Sequence, residues 1–445
     1  MSSKVYFMDD RYSGLTSSLP AKAQQLFDHA GLMECFGPGD SVAVKCHMGE
    51  WFNTGYLRPI LVRAVVDKVR EHGGVPFVTD TTTAPYSQYG SRCTEQFYLE
   101  TAAANGYTAE TMGCPVIIAD GAYGTEDVRV EIPDGILLRE GYLARGVADA
   151  DAMIVVSHFK GHGSAVYGGS IKNVAIGCSS KRGKMNVHLT THPEVGWREW
   201  SFHGENCIGE ECPDATLCKN TCPVGAIEIK EDRLEWDREA CIGCFGHQRP
   251  LFRCDVWGRE RYDDWSNWFL VSMGDAAAGY LREMGPGKVG FVTYAVDITP
   301  FCDCAHGADR PVISNMGVFA SRDMVAVDVA ALEMADKMPG LPGTRAEAKG
   351  VMAEGEEKFT GIIGRSQWVT VNACSRLGAG EMEYELVVPP VSESEEEFCH
   401  SRLGPETPVG YYLAKGVEKF GSWLPEGGFV YNERPTVPFE ELTKR

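Results

Sequence analysis

Ser41-Val42-Ala43-Val44-Lys45 and, further along, Val75-Pro76-Phe77-Val78-Thr79 decide the fold. Both are short apolar runs of the kind a strand buried on both faces shows. Between them, Leu57 to His72 places Leu61, Val65, Val66 and Val69 at helical spacing, and Gly73-Gly74 ends the helix. Outward from this unit the alternation continues, with a helix over Thr94 to Asn105 and apolar runs at Val116-Ile117-Ile118-Ala119 and Ala152-Met153-Ile154-Val155-Val156. It breaks near Trp197. After an aromatic-rich helix over 259–284 it resumes with strands at Lys288 to Val296 and Val312 to Ala320 and a helix from Arg322 to Lys337. Strands alternating with helices predict an α/β fold: a mostly parallel sheet with flanking helices. The break, where seven cysteines crowd between 207 and 254 around a Cys222-Pro223 step, predicts an inserted module, and the cysteine spacing predicts that it is a ferredoxin-like 4Fe-4S module. The expected segments are 1–200 (first part of the α/β domain), 201–257 (iron–sulfur module), 258–375 (second part) and 376–445 (carboxyl-terminal extension). Ser392 to Glu397 is a charged run that reads as a solvated segment.

With 445 residues the chain is long enough for two or three domains, and an apolar fraction of 44% is that of ordinary globular protein. Forty-two basic against 62 acidic side chains give a net charge of −20. That charge argues against nucleic-acid or anionic-membrane binding. No apolar stretch of about 18 residues predicts a membrane span. Met1 to Asp10 has no apolar signal core, so a cytoplasmic, reducing location is expected. There the 16 cysteines point to metal or redox use rather than disulfides.

Seven cysteines lie between 207 and 254, and the fourth opens Cys222-Pro223-Val224-Gly225-Ala226-Ile227. A spaced cysteine run ending in Cys-Pro is a bacterial ferredoxin signature, in which the fourth cysteine of each run ligates the other run's cluster. By that rule two 4Fe-4S clusters are expected. One takes Cys207, Cys212, Cys218 and Cys254; the other takes Cys222, Cys241 and Cys244 and lacks a fourth ligand. Three answers stay open: His247, standing where a third cysteine of the second run would be; Cys302 or Cys304 from the resumed α/β domain; or a three-iron or open site. The segments Ala226 to Ile229 and Arg233 to Trp236 predict a hairpin between the two runs. Structural zinc is the competing reading, but only Cys241 and Cys244 have its C-x-x-C spacing.

In open α/β sheets ligands bind beyond the carboxyl ends of the strands. The residues there are polar: Cys46, His47, Gly49 and Glu50; Asp80, Thr81 and Thr82; Ser157, His158, Lys160 and His162; and Asp297, Thr299, Cys302, Asp303 and Cys304. Gly168, Gly169, Lys172, Asn173, Lys184 and His188 extend the third group into a cationic, glycine-rich run suited to an anionic ligand. Lys45, His47, Lys160, His162 and Lys172 are the candidate catalytic groups. Asp80, Thr81, Ser157, His158, Gly168, Gly169, Asn173, Lys184 and His188 are the candidate binding groups. A bland reading stands beside each: most lysines and histidines are merely exposed, and Asp80 could simply cap a turn. Lys45 resists that reading, because a lysine ending an apolar strand must reach solvent or pair in a cleft.

The stretches VAVKCHMGE (42–50), LRPILVRAVVDKVREHGGVPFVTDTTT (57–83), SHFKGHGSAVYGGSIKNVAIGCSSKRGKMNVH (157–188), CPVGAI (222–227), CIGC (241–244) and FCDCAHGADRPVISNMGVFASRDMVAVDVAALEM (301–334) resemble the domain-of-unknown-function 362 family. The resemblance covers residues 5 to about 335. It implies an iron–sulfur protein of anaerobic metabolism with a ferredoxin-like segment in this place. The chain departs from the usual pattern in the wide Cys207–Cys218 spacing, at His247 and in its carboxyl extension.

The expected function is therefore an iron–sulfur oxidoreductase passing electrons to a small anionic substrate or second cofactor at the strand ends. The alternative is an electron carrier or maturation partner that docks a redox partner protein and has no substrate of its own. Self-association into a homo-oligomer is left open.

Overall fold

The computed structural model describes residues 3–84, 91–189, 202–242, 256, 262–394, 408–427, 429, 436–438 and 441. They fall into two units, Met1–Ser392 and Glu393–Arg445. In the second, Pro408–Trp423 is a helix.

The strands of the first unit, in chain order, are β1 (Ser3–Asp9), β2 (Ser41–Lys45), β3 (Val75–Asp80), β4 (Val116–Ile118), β5 (Asp127–Glu131), β6 (Glu140–Ala144), β7 (Ala152–His158), β8 (Lys160–His162), β9 (Val166–Gly168), β10 (Ile227–Ile229), β11 (Leu234–Trp236), β12 (Val289–Ala295), β13 (Gly317–Ser321) and β14 (Tyr384–Val387). One eight-stranded sheet has the order β14-β1-β13-β12-β7-β2-β3-β4, and β5-β6, β8-β9 and β10-β11 form two-stranded sheets. In the large sheet β13 runs antiparallel to both β1 and β12, and every other pairing is parallel. The fold is the mixed α/β architecture the alternation predicts.

The apolar runs are continuous because both faces of the sheet are covered. Along β7, Met153 and Val155 enter one core while Ala152, Ile154 and Val156 enter the other. The first core is closed by the helices Tyr262–Met284, through Phe269, Met273 and Tyr280, and Met324–Lys337. The second is closed by Leu19–His29 and Pro59–Glu71, the latter through Leu61, Val62, Val65 and Val69. Burying one such side chain stabilises by about 1.5–3 kcal/mol, so four from one helix contribute strongly to holding it on the sheet.

Val312 to Met316, read above as the start of a strand, is not in the sheet. Val312 instead bonds Ile298 O through its amide and Leu341 N through its carbonyl, and Ile313 bridges to Gly340. An apolar run reports burial, and here the burial comes from a crossing loop. The interior strand β1 and the edge strand β14 add to the strands expected from the sequence.

The chain passes from β2 to β3 and β4 on one side, and from β7 to β12 on the other. The order therefore reverses between β2 and β7. A sheet opens a crevice at such a switch point, beyond the strands' carboxyl ends.

Candidate functional site

Lys45 ends β2 at this reversal, wholly buried, with Nζ 2.8 Å from Asp80 Oδ1 at the end of β3. Lys45 Nζ also donates to Asn173 Oδ1 at 2.8 Å. The Tyr98 hydroxyl donates to Asp80 Oδ2. Burial would raise the Asp80 carboxyl, but the charge of Lys45, together with His47 and the hydrogen bonds from Lys45 and Tyr98, outweighs it and the group falls to about 2. Asn173 Nδ2 ties the arrangement to β7 through Val156 O at 3.0 Å and Ser157 Oγ at 3.1 Å. Thr81 donates through Oγ1 to Gly177 O at 2.9 Å and accepts from Lys184 Nζ. Burial holds the Lys184 amine down at about 8, against the opposing pull of Asp120 and Asp80.

A second knot forms across β7 and the 301–306 loop. Asp303 Oδ1 lies 2.9 Å from His158 Nδ1, and Asp303 Oδ2 is 2.9 Å from Lys160 Nζ. The other ring nitrogen of His158 faces Val296 O at 2.7 Å. Burial opposes ionisation of Asp303, yet His158 and Lys160 hold its carboxyl far below the usual range. Burial lowers the Lys160 amine despite Asp303.

Two further groups lie beside these pairs. His47 Nδ1 accepts from Gly49 N at 2.9 Å, which puts the neutral ring's proton on Nε2, and that buried Nε2 has no hydrogen-bond partner. Burial, reinforced by the charge of Arg92, lowers His47 to about 3, so the ring stays neutral. Lys172, on the helix Ser170–Ala175, is half-buried. Burial and then the charge of Lys160 bring its amine down to about 7. Gly168 lies against both lysines: a Cβ there would stand 3.6 Å from Lys160 Cε and 3.9 Å from Lys172 Cδ.

His162 sits on β8 in the β8-β9 hairpin, where Val166 is held at φ 67°. A β-branched residue in the left-handed region costs about 1–3 kcal/mol and marks a conformation imposed by its surroundings. His162 Nδ1 accepts from Ser164 N at 3.1 Å and Ala165 N at 2.8 Å, and its Nε2 lies 3.5 Å from Cys304 Sγ. His188 Nδ1 donates to Lys184 O at 2.6 Å, and its ring lies against Phe269. Gly169 has a packing reason: a Cβ there would fall 2.6 Å from Asp328 Oδ1, which receives Ser170 N.

The structure thus gathers Lys45, Asp80, Thr81, Asn173, Ser157 and Lys184 in one network. His158 and Lys160 lie in the Asp303 knot, and His47, His162 and Lys172 lie beside them. It adds residues not singled out from the sequence. Arg92 Nε pairs with Glu50 Oε2 at 3.0 Å in a buried bridge, and Asn53 Nδ2 donates to Ala305 O at 2.7 Å, fixing the 301–306 loop. Nothing in the local sequence marks Arg92. Asp328 had a signal, an acid inside the apolar run Val325 to Leu332.

Of the cysteine segment, Cys207, Cys212, Cys218, Cys222 and Cys241 are described; Cys244, His247 and Cys254 lie outside the described residues. The predicted hairpin is present as β10-β11. A small core of Ile227, Leu234 and Val256 packs with Cys218, Cys207 and Cys222. Gly209 N donates to Cys207 Sγ at 3.3 Å and Ala226 N to Cys222 Sγ at 3.1 Å. Gly209 and Gly225 turn at φ 64° and 69°, which glycine accepts without strain. Amide hydrogens aimed at sulfur stabilise thiolates and tune clusters, so this donor set fits iron–sulfur ligation. Cys302 and Cys304 instead form a disulfide with each other. With His162 they place their ligand atoms within 4.8 Å of one another. The free cysteines Cys35, Cys46, Cys93, Cys114, Cys178 and Cys374 are buried, as plain core residues are.

Fold and site define a covered α/β sheet with a buried cationic cluster at its switch point and a cysteine-rich segment in the same chain. Residues 42–333 match the family described as Domain of unknown function (DUF362), and the chain belongs to that family. A ferredoxin-like protein in nif region of Trichormus variabilis is 33% identical over 70 residues, 14% of this chain and 60% of the relative; its namesake in Trichormus azollae matches equally. The chain spans about 60% of the length of these curated relatives. Among solved structures, the lactate racemase apoprotein from Thermoanaerobacterium thermosaccharolyticum aligns with a TM-score of 0.37 at 9% identity, over 88% of this chain and 84% of that one. A Thermotoga maritima protein aligns with a TM-score of 0.30 at 10% identity, over 65% and 52%. Among the described residues no helix is long and apolar enough to cross a membrane.

Proposed function

We propose that the protein is an iron–sulfur oxidoreductase that delivers electrons to a small anionic substrate or second cofactor bound at the carboxyl ends of β2, β3 and β7. The observation that carries this reading is His47 Nε2, a buried donor without a protein partner beside the half-buried, low-pKa Lys172. A buried donor left unpaired costs about 1–3 kcal/mol, which a ligand's acceptor would recover.

In this reading His47 donates to the ligand and Lys172 supplies or takes a proton near neutral pH. Lys160 contributes positive charge, while Lys45, Asp80, Asn173, Asp303 and His158 hold these groups in place. The likeness to ferredoxin-like proteins and the number of cysteines support an iron–sulfur cofactor. Cys207, Cys212, Cys218, Cys222 and Cys241 would hold 4Fe-4S clusters, which supply one electron at a time.

The test uses anaerobically purified protein. Iron and sulfide analysis with visible spectroscopy should find clusters, and small carboxylates and phosphates are screened for reoxidation of the reduced chain. In His47→Phe and Lys172→Met that reoxidation should be lost with the cluster spectrum intact. A colourless protein holding zinc would end the iron reading.

The ferredoxin-like relatives also favour a second reading, an electron carrier that docks a partner protein. Its association would weaken with added salt.

A further inference from the structure

We infer that Cys302 and Cys304 are a redox-active dithiol–disulfide couple at the strand-end site, with Cys304 as the sulfur that exchanges with a dithiol reductant. The inference goes beyond the reading above and does not depend on iron.

Three independent features place the pair. Asp303, between the two sulfurs, is clamped by His158 and Lys160, while Asn53 Nδ2 donates to Cys302 O at 3.3 Å and Ala305 O at 2.7 Å. The pair therefore sits on a rigid turn at the crevice. The sulfurs differ in access, Cys302 being buried and Cys304 only half-buried, so an incoming thiolate meets Cys304. Each sulfur also has its own hydrogen-bond donor. Cys304 N donates to Cys302 Sγ at 3.3 Å, and His162 presents Nε2 to Cys304 Sγ at 3.5 Å.

The tautomer of His162 decides between a thiol site and a metal site. Among the described residues, His162, Cys302 and Cys304 are the group whose ligand atoms all lie within 4.8 Å, close enough for one ion. Two backbone amides point at His162 Nδ1, however, so the neutral ring carries its proton on Nε2. A ligating nitrogen must present a lone pair; this one presents a hydrogen to sulfur. Burial keeps the ring neutral, and the Lys172 amine opposes its protonation. Donors and cationic neighbours of this kind stabilise a thiolate and raise its share at neutral pH.

The exchange is balanced. A thiolate of the reductant attacks Cys304 Sγ, and the Cys302–Cys304 bond breaks. A mixed disulfide forms on Cys304, and the bonding pair leaves on Cys302 Sγ, which takes a proton. The reductant's second thiolate then closes on its own sulfur, releasing Cys304 as a thiolate that takes a proton and leaving the reductant as a disulfide. Two electrons and two protons pass to the pair. The reverse steps oxidise it.

The full chain, purified anaerobically, is equilibrated in mixtures of reduced and oxidised dithiothreitol, quenched with N-ethylmaleimide and digested. Mass spectrometry of the peptide holding both cysteines counts labels. The expected result is zero labels under excess oxidised reagent and two under excess reduced reagent, in one transition. In Cys302→Ser, Cys304 should form a mixed disulfide with oxidised glutathione. In His162→Phe the labelling rate of reduced Cys304 should fall about tenfold, with His162→Gln between. Two labels at every mixture, or none under native excess reductant, would overturn the proposal. So would protection of both thiols by stoichiometric metal that a chelator reverses. Iron content and visible spectrum, read on the same samples, show separately whether the iron–sulfur reading stands.

Discussion

Lys45 Nζ and Asp80 Oδ1 lie 2.8 Å apart at the ends of two neighbouring parallel strands, both side chains sealed from solvent. Neither charge could be there alone. Removing one partner of such a pair leaves an uncompensated buried charge and costs about 3–5 kcal/mol. Lys45→Met and Asp80→Asn should each lower the unfolding free energy measured in urea by that much, and the double variant should recover part of the loss. Strictly additive losses in the double-mutant cycle would show that the two groups act separately.

Glu50 gives an acid-side prediction. Burial would raise its carboxyl, but Arg92 and the Ser91 hydroxyl outweigh burial and bring it to about 2. Its folded value is below the unfolded one of about 4.3, so its contribution is complete above that pH and disappears as pH falls toward 2. Glu50→Gln should flatten the decline of the urea midpoint across that window. An unchanged slope would assign the acid sensitivity elsewhere.

Lys172 has the opposite sign. Its folded amine is held at about 7 by burial and by Lys160, well below the unfolded value of about 10.4. Between these values the unfolded chain binds the extra proton, so stability rises with pH. Below about 7 both states are protonated and the burden is complete. Lys172→Met should therefore stabilise most below pH 7 and give no gain above the unfolded value. A gain independent of pH would mean that packing, not charge, is responsible.

The crossed ligand pattern predicts that Cys218→Ala and Cys241→Ala each remove about half the iron, because each belongs to a different cluster. Together they should remove nearly all of it. If either variant alone emptied the protein, the two-cluster assignment would fail. The large sheet should survive both, which far-ultraviolet circular dichroism would show.

Gly169→Ala should cost about 1–3 kcal/mol, since its Cβ would fall 2.6 Å from Asp328 Oδ1 and displace the carboxylate from Ser170 N. Thermal unfolding measures it. No loss would mean that Asp328 moves freely, contrary to its burial.

The elements were legible where the signal was local. Apolar runs located β2, β3, β7 and β12, and the helical stripe over Leu61 to Val69, ended by Gly73-Gly74, located the helix against them. The hairpin β10-β11 followed from two short runs around a polar turn. The polar residues at the strand ends were legible too, because parallel strands place every carboxyl end on one side. The Val312 run misled because burial has no memory of what causes it.

What the sequence determined by itself is the α/β alternation, the cysteine spacing and the kinds of side chain available at the strand ends. The tertiary structure alone decided which of them meet. It inserted β13 antiparallel between β1 and β12, set the switch point between β2 and β7, brought Asp303 to His158 and Lys160, paired Glu50 with Arg92, and turned Cys302 and Cys304 toward each other beside His162. Periodicity reports whether a residue is buried within its own element. Partners more than 140 residues apart, as Asp303 and Lys160 are, are chosen by how the elements stack, and no local pattern carries that choice.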